Sequence, residues 1–199
     1  VYEARKAIGA ELAREAPCNA QLVVPVPDSG VPAAIGFAAE ASLPFELGII
    51  RNHYVGRTFI EPTDQIRHLG VKLKHNANHR LLEGKRIVLV DDSIVRGTTS
   101  TKIVEMVRSA GAREVHFRIS SPPTVSPCYY GIDTPSRGEL VSANQSLDQL
   151  KEAIGADSLA YLSLPALRNV AAGMKHGFCD ACFSGEYPVS VESAESRHD

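Results

Sequence analysis

The sequence predicts an α/β fold with a mainly parallel central sheet flanked by helices. Two observations carry that prediction. Short apolar, β-branched runs at 21–26, 45–50, 86–91, 114–120 and 159–162 have the length and composition of strands. Helical periodicity or small-residue packing surfaces separate them, so strands and helices alternate along the chain. The length agrees: 199 residues at 44% hydrophobic content suit one domain with an appendage and exclude a disordered chain.

Taken in order, residues 1–16 read as an amphipathic helix with Ala4, Ala7, Ile8 and Leu12 at helical spacing. The run QLVVPV at 21–26 is a fully apolar strand, broken by Pro27, Asp28, Ser29 and Gly30. Residues 31–41 have the small, apolar character of a packed helix, and FELGII at 45–50 is a second strand. Gly56, Pro62 and Gly70 then interrupt any period, leaving mostly loop with a helical turn. RIVLVD at 86–91 is the clearest strand; a tight loop at 92–97 leads to a helix at 98–110, ended by Gly111. EVHFRIS at 114–120 alternates as a strand does, and Pro122, Pro123 and Pro127 force the following stretch to be irregular. Helices at 146–154 and 165–172 flank a strand near 159–162. There is no internal repeat.

Composition narrows the function classes. No apolar stretch approaches the roughly 20 residues of a membrane helix, and no secretory leader is visible, so a soluble, cytoplasmic protein is expected. A net charge of −2 argues against a general nucleic-acid or polyanion binder. That average hides a segregation. Residues 51–86 hold eight Lys or Arg against three Asp or Glu, a surplus of +5, so the remainder carries −7. A basic island in an acidic protein suits an anionic ligand, although a solvated surface accounts for it equally well on charge alone.

The chemistry concentrates in Asp91-Asp92-Ser93-Ile94-Val95-Arg96-Gly97-Thr98-Thr99-Ser100. A buried strand delivers two adjacent carboxylates to its carboxyl end, where ligands bind on parallel sheets. Burying two carboxylates there is costly unless they are used. Six residues on, a Gly-Thr-Thr-Ser turn opens a helix whose free N–H groups and hydroxyls form an anion cradle. Phosphate at one end and two carboxylates at the other suit a sugar phosphate, since carboxylates accept from vicinal hydroxyls and help hold Mg²⁺.

This segment resembles the phosphoribosylpyrophosphate (PRPP) motif of the type I phosphoribosyltransferases, and its exact form is similar to that of the glutamine PRPP amidotransferase family. YVGRTFI at 54–60 and SPPTVSPCYYGID at 121–133 agree, and the resemblance covers nearly the whole chain. It implies a phosphoribosyltransferase domain over 1–175, with a mobile hood at 51–80, and an irregular cysteine-containing tail over 176–199. By the same resemblance Pro27, Asp28, Ser29 and Gly30 form a pyrophosphate loop, with Ser29, Asp91 and Asp92 as Mg²⁺ ligands. Asp91, Asp92 and Ser93 would hold the ribose, Arg96, Gly97, Thr98, Thr99 and Ser100 the 5-phosphate, and Arg57 and Thr58 would face the site from the hood. Arg57, Asp91 and Asp92 are the catalytic candidates, and Tyr54 and Ile60 are candidates for lining the approach of ammonia. Lys72 and Lys74 are as readily solvated as ligand-bound.

The implied reaction is displacement of pyrophosphate from PRPP by ammonia, giving 5-phosphoribosylamine, the first step of purine synthesis. Two other readings compete: a type I phosphoribosyltransferase acting on a nucleobase, and a PRPP-binding regulator without catalysis. The absence of Trp weakens the first by removing one candidate for stacking on a flat base. The acidic remainder weakens a nucleic-acid-binding regulator.

Four cysteines do not need disulfide stapling in a cytosolic chain of this size. The resemblance implies that Cys128, Cys179 and Cys182 ligate a [4Fe–4S] cluster, as in one branch of the family, with the fourth ligand upstream of Val1. Free thiols, or a zinc site completed by His176, are the alternatives, and Cys18 matches no ligand position. The start at Val1 reads as that of an excised or processed piece lacking the family's N-terminal glutaminase half, so use of glutamine is expected only in the longer protein. The family's habit implies a homo-oligomer.

Overall fold

The computed structural model describes residues 1–52, 75–172 and 178–189. Its main sheet has four parallel strands in the order β1 (Leu22–Pro25), β4 (Arg86–Asp91), β5 (Glu114–Ile119) and β6 (Ser158–Tyr161). Ile87, Val88, Leu89 and Val90 of β4 are all fully buried. That strand lies inside a sheet covered on both faces, which is why its sequence is a continuous apolar run.

Because successive side chains point to opposite faces, the strands feed two cores. Val24, Ile87, Leu89, Val115 and Phe117 pack with Ile103, Val104 and Val107 of α4 (Thr98–Ser109) on one face. On the other, Val23, Val88 and Val90 meet Leu12 of α1 (Tyr2–Glu15) and Ala33, Ala34 and Phe37 of α2 (Val31–Ala41). The result is three layers, helix on sheet on helix, with the parallel central sheet expected from the sequence.

The second strand differs from expectation. Phe45 makes an isolated parallel bridge to Val23, with the Val23 N–H donating to Pro44 O at 2.9 Å and the Glu46 N–H to Val23 O at 3.0 Å. The chain then turns at Glu46–Gly48, the Gly48 N–H donating to Glu46 O at 2.8 Å. Ile49–Arg51 becomes β2, antiparallel to β3 (His75–Ala77) in a separate two-stranded sheet. The helical turn expected in the basic segment is present at α3 (His79–Leu82), with Leu82 fully buried.

The other elements lie within a few residues of their expected bounds. α6 (Leu147–Ile154) opens on a capping box made by Ser146 and Gln149 and closes at Gly155, φ 74°. α7 (Leu164–Ala172) packs beside α1 through Ala166. Three short elements had no sequence signal: a 3₁₀ turn at Arg137–Glu139, α5 (Val141–Asn144) and α8 (Ala181–Ser184). Among the described residues no helix is long and apolar enough to cross a membrane.

Candidate active site at the carboxyl ends of the strands

β1 and β4 end side by side, and their loops meet. The Val26 N–H donates to Val90 O at 2.8 Å, keeping the two chains paired to the point where each becomes a loop. Gly30 follows at the start of α2, and a Cβ on it would lie 2.3 Å from Val90 O and 3.2 Å from the Asp91 Cα. Only a residue without a side chain lets the 27–30 loop sit so close to the acidic pair. The Pro27–Asp28 peptide is cis.

Asp91 is buried, with the Ser29 hydroxyl beside it. Its Oδ1 accepts from the Asp92 N–H at 2.8 Å, while the Ser93 hydroxyl donates to Asp92 Oδ1 at 3.2 Å. Burial, and then the neighbouring Asp92 charge, push the Asp91 carboxyl well above the ordinary carboxylate range, against the Asp92 N–H and the Ser29 hydroxyl. Such a carboxyl is poised to gain from a cation. Ser29, Asp91 and Asp92 together offer hard oxygen donors and leave most positions open, a set that fits Mg²⁺, which retains waters and ligand phosphate oxygens. In front of the same loop, Arg51 on β2 pairs with Asp28.

The other end of the site is the start of α4. Its N-cap is Gly97 at φ 79°, and no side chain caps the first turn, so the N–H groups there lack that internal acceptor. The Thr101 hydroxyl turns back to Gly97 O at 3.1 Å, whereas Ser100 is buried. Arg96, just before the turn, donates through Nε to Glu139 Oε1 at 3.0 Å.

The cysteines gather elsewhere. The loop after β5 and the tail are stitched together: the Val125 and Ser126 N–H groups both donate to Cys182 O, at 2.9 and 3.1 Å. The Tyr187 hydroxyl donates to Pro127 O at 2.5 Å, and its ring lies against Tyr129 and Tyr130 at centroid distances of 5.2 and 6.2 Å. The Cys128 sulfur accepts from the Tyr130 N–H at 3.4 Å. Burial raises the Cys182 thiol, and the nearby Cys128 and then Cys179 raise it further, so the three sulfurs share one neighbourhood. Among the described residues, however, no group of three His, Cys, Asp or Glu side chains is arranged to hold a metal ion. Cys18 is distant in role: it packs against the α1–α2 core beside Arg118, burial raising its thiol.

Of the residues expected in the site, 27–30, 91–93 and 96–100 all lie on the β1 and β4 loops and the start of α4. Tyr54, Arg57, Thr58, Ile60, Lys72, Lys74 and His176 lie outside the described residues. Two neighbours had no individual role in the sequence reading: Arg51, which opens the expected hood, and Glu139. Each touches the site only through the tertiary fold, by ion pairs spanning 23 and 43 residues.

The comparisons define the class of this chain: residues 2–120 match the phosphoribosyl transferase domain model, and the chain belongs to that family. Within it, the chain is 55% identical over 197 residues to the chloroplastic amidophosphoribosyltransferase of Glycine max, covering 99% of this chain and 35% of that protein. It is 58% identical over 198 residues to the amidophosphoribosyltransferase of Rhizobium etli, covering 96% of this chain and 40% of the relative. The fold matches the glutamine PRPP amidotransferase of B. subtilis, complexed with ADP and GMP, with a TM-score of 0.85 at 47% identity over 96% of this chain and 43% of that one. The chain therefore spans about two fifths or less of the length of these relatives.

Proposed function

We propose that this chain is the phosphoribosyltransferase part of an amidophosphoribosyltransferase, which binds PRPP with Mg²⁺ and displaces its pyrophosphate with ammonia. The observation that carries this reading is the close seating of the 27–30 loop against Val90 and Asp91 at the end of β4, six residues before the uncapped start of α4 at Gly97. In the proposed reaction a bond forms between the ammonia nitrogen and the anomeric carbon. The bond from that carbon to the pyrophosphate oxygen breaks, its electron pair leaving with pyrophosphate, and the new ammonium group releases a proton to solvent. Ammonia brings its own lone pair, so no general base is assigned.

In this reading Pro27, Asp28, Ser29 and Gly30 hold the leaving group. Asp91 and Asp92 accept from the ribose hydroxyls, with Ser93 beside them, and Arg96, Gly97, Thr98, Thr99 and Ser100 hold the 5-phosphate through N–H groups, hydroxyls and charge. Mg²⁺, held by Ser29, Asp91 and Asp92, would supply charge neutralisation of the leaving oxygens. Arg57 and Thr58 belong to the proposed hood at 51–80, whose cationic surplus suits a ligand with three phosphate groups.

We assign residues 1–175 to this domain and 176–199 to a tail, whose described residues are held against the domain by bonds between 125–130 and 182–189. The neighbouring Cys128, Cys179 and Cys182 support a cysteine-bound [4Fe–4S] cluster in the longer protein, with a fourth ligand from elsewhere; no step is derived through it. Iron and acid-labile sulfide assays on the longer protein test that part. A glutaminase half that supplies ammonia, and homo-oligomer assembly, belong to the same proposal. So does the compartment, cytoplasmic as first expected or plastid as in the named plant relatives.

The deciding experiment measures pyrophosphate release from PRPP and Mg²⁺ with ammonia, and separately with adenine, guanine, hypoxanthine or orotate. Turnover with ammonia alone supports the proposal. Turnover only with a base would make this a nucleobase phosphoribosyltransferase, and PRPP binding without turnover would make it a regulator.

A further inference from the structure

Arg96 does not stand alone at the edge of the proposed phosphate cradle. Its Nε donates to Glu139 Oε1, whose other carboxylate oxygen accepts from the Ser136 hydroxyl at 3.2 Å. Glu139 ends a 3₁₀ turn that is itself clamped: the Asn144 side-chain amide donates to three carbonyls, Arg137 O, Gly138 O and Leu140 O, at 2.9, 3.1 and 2.8 Å. The turn is also tied to the cradle loop through its backbone, the Val141 N–H donating to Val95 O at 2.9 Å. Leu140 between these anchors is fully buried.

Both side chains are about half exposed, and an exposed ion pair by itself is ordinarily worth little. A carboxylate fixed by its own turn contacts the Nε of a guanidinium, and a guanidinium has a second edge, formed by its two terminal nitrogens, suited to a phosphate. A carboxylate that merely competed with phosphate for Arg96 would gain nothing from so many restraints. We infer that Glu139 is a positioning residue: it holds Arg96 by the Nε edge so that the terminal nitrogens are preorganised for the 5-phosphate of the substrate. Resting on the phosphoribosyl reading of the site, the inference adds a residue from outside the binding motif and assigns the 136–144 strap a role in phosphate recognition.

The test measures binding of ribose 5-phosphate, and of pyrophosphate with Mg²⁺, to the full chain and to its E139A, E139Q, R96A and E139A/R96A variants. Ribose 5-phosphate carries the group that Arg96 would meet; pyrophosphate belongs to the 27–30 loop. E139A should weaken ribose 5-phosphate binding about fivefold, the upper range for such a pair, and leave pyrophosphate binding unchanged. In the R96A background the same change should have no effect, since its partner is gone. E139Q keeps an acceptor for Nε and should stay within about twofold of the parent. Equal losses for both ligands would mean a collapsed strap and overturn the inference, as would an undiminished effect of E139A without Arg96. Tighter binding by E139Q would show that Glu139 opposes the anion and would overturn it too. A parent chain that binds neither ligand overturns the phosphoribosyl reading itself, and this inference with it.

Discussion

Gly30 occupies a position with no room for a side chain, since Val90 O, Val26 O and the Asp91 Cα would all lie within 3.2 Å of a Cβ. Backbone atoms cannot swing aside as a flexible side chain does, so G30A must push the 27–30 loop away from β4. We expect it to cost about 1–3 kcal/mol in a urea melt and to lower pyrophosphate release by about 10- to 100-fold. Wild-type release in G30A would separate the loop from the chemistry. Asp91 makes the opposite bargain. Its buried carboxyl opposes folding while serving the proposed metal and ribose, and Asn at this position keeps an acceptor for the Asp92 N–H. D91N should therefore gain about 1–2 kcal/mol in stability without ligand and lose Mg²⁺-dependent PRPP binding. A destabilised D91N would mean that the carboxylate is a structural partner. At this scale the burial of Asp91 was legible because it closes an apolar strand inside the sheet, while Asp92, next along, is only partly buried. The pairings of Arg51 with Asp28 and of Glu139 with Arg96 were illegible, because only the fold brings these charged residues together.

Elements are held by their ends as much as by their faces, and Asp157 shows how. It lies in the loop before β6, where its Oδ2 accepts from the Val115 N–H at the start of β5 and from Arg108 on α4, both at 2.6 Å. Burial works against its ionisation, but the Val115 N–H and then Arg108 outweigh it and hold the carboxyl below its ordinary value. A carboxyl lowered by folding contributes stability above its unfolded pKa of about 3.9, and that contribution disappears as pH falls through the folded value. D157N should thus be less stable than the parent by about 1 kcal/mol at pH 7, allowing for solvent screening. The two melting curves should converge in strong acid; a gap that persists there would assign the loss to packing. Elements themselves were legible where local signals agreed, as with the Ser146 capping box and Gly155 around α6. The run at 45–50 misled because its apolar pattern fits any strand, while its partner is chosen by the turn at 46–48 and by β3. The 136–144 strap has no apolar period to read, since Leu140 is its single buried residue and Asn144 and the Glu139 pair hold the rest.

Over the whole molecule the uneven charge has a measurable consequence. The +5 segment at 51–86 and the −7 remainder sum to −2, and the proposed polyanionic substrate makes that segregation testable. PRPP carries a pyrophosphate and a monophosphate, ribose 5-phosphate the monophosphate alone. If the cationic segment draws the ligand as a field, the ligand with more charge must lose more when salt screens it. The Debye length shrinks from about 30 Å at 0.01 M to about 8 Å at 0.15 M, so distant Lys and Arg residues fall silent first. Raising KCl across that range at fixed free Mg²⁺ should weaken PRPP binding by about tenfold and ribose 5-phosphate binding by about two- to threefold. Parallel slopes for the two ligands would place the attraction in the shared 5-phosphate cradle at Arg96 and the start of α4, and would leave the basic segment as solvated surface. Unequal slopes that become parallel after charge-neutralising substitutions at Lys72 and Lys74 would trace the difference to those two residues. If the slopes stay unequal in that variant, the surplus acts through the rest of the segment, with Arg57 the first residue to substitute next.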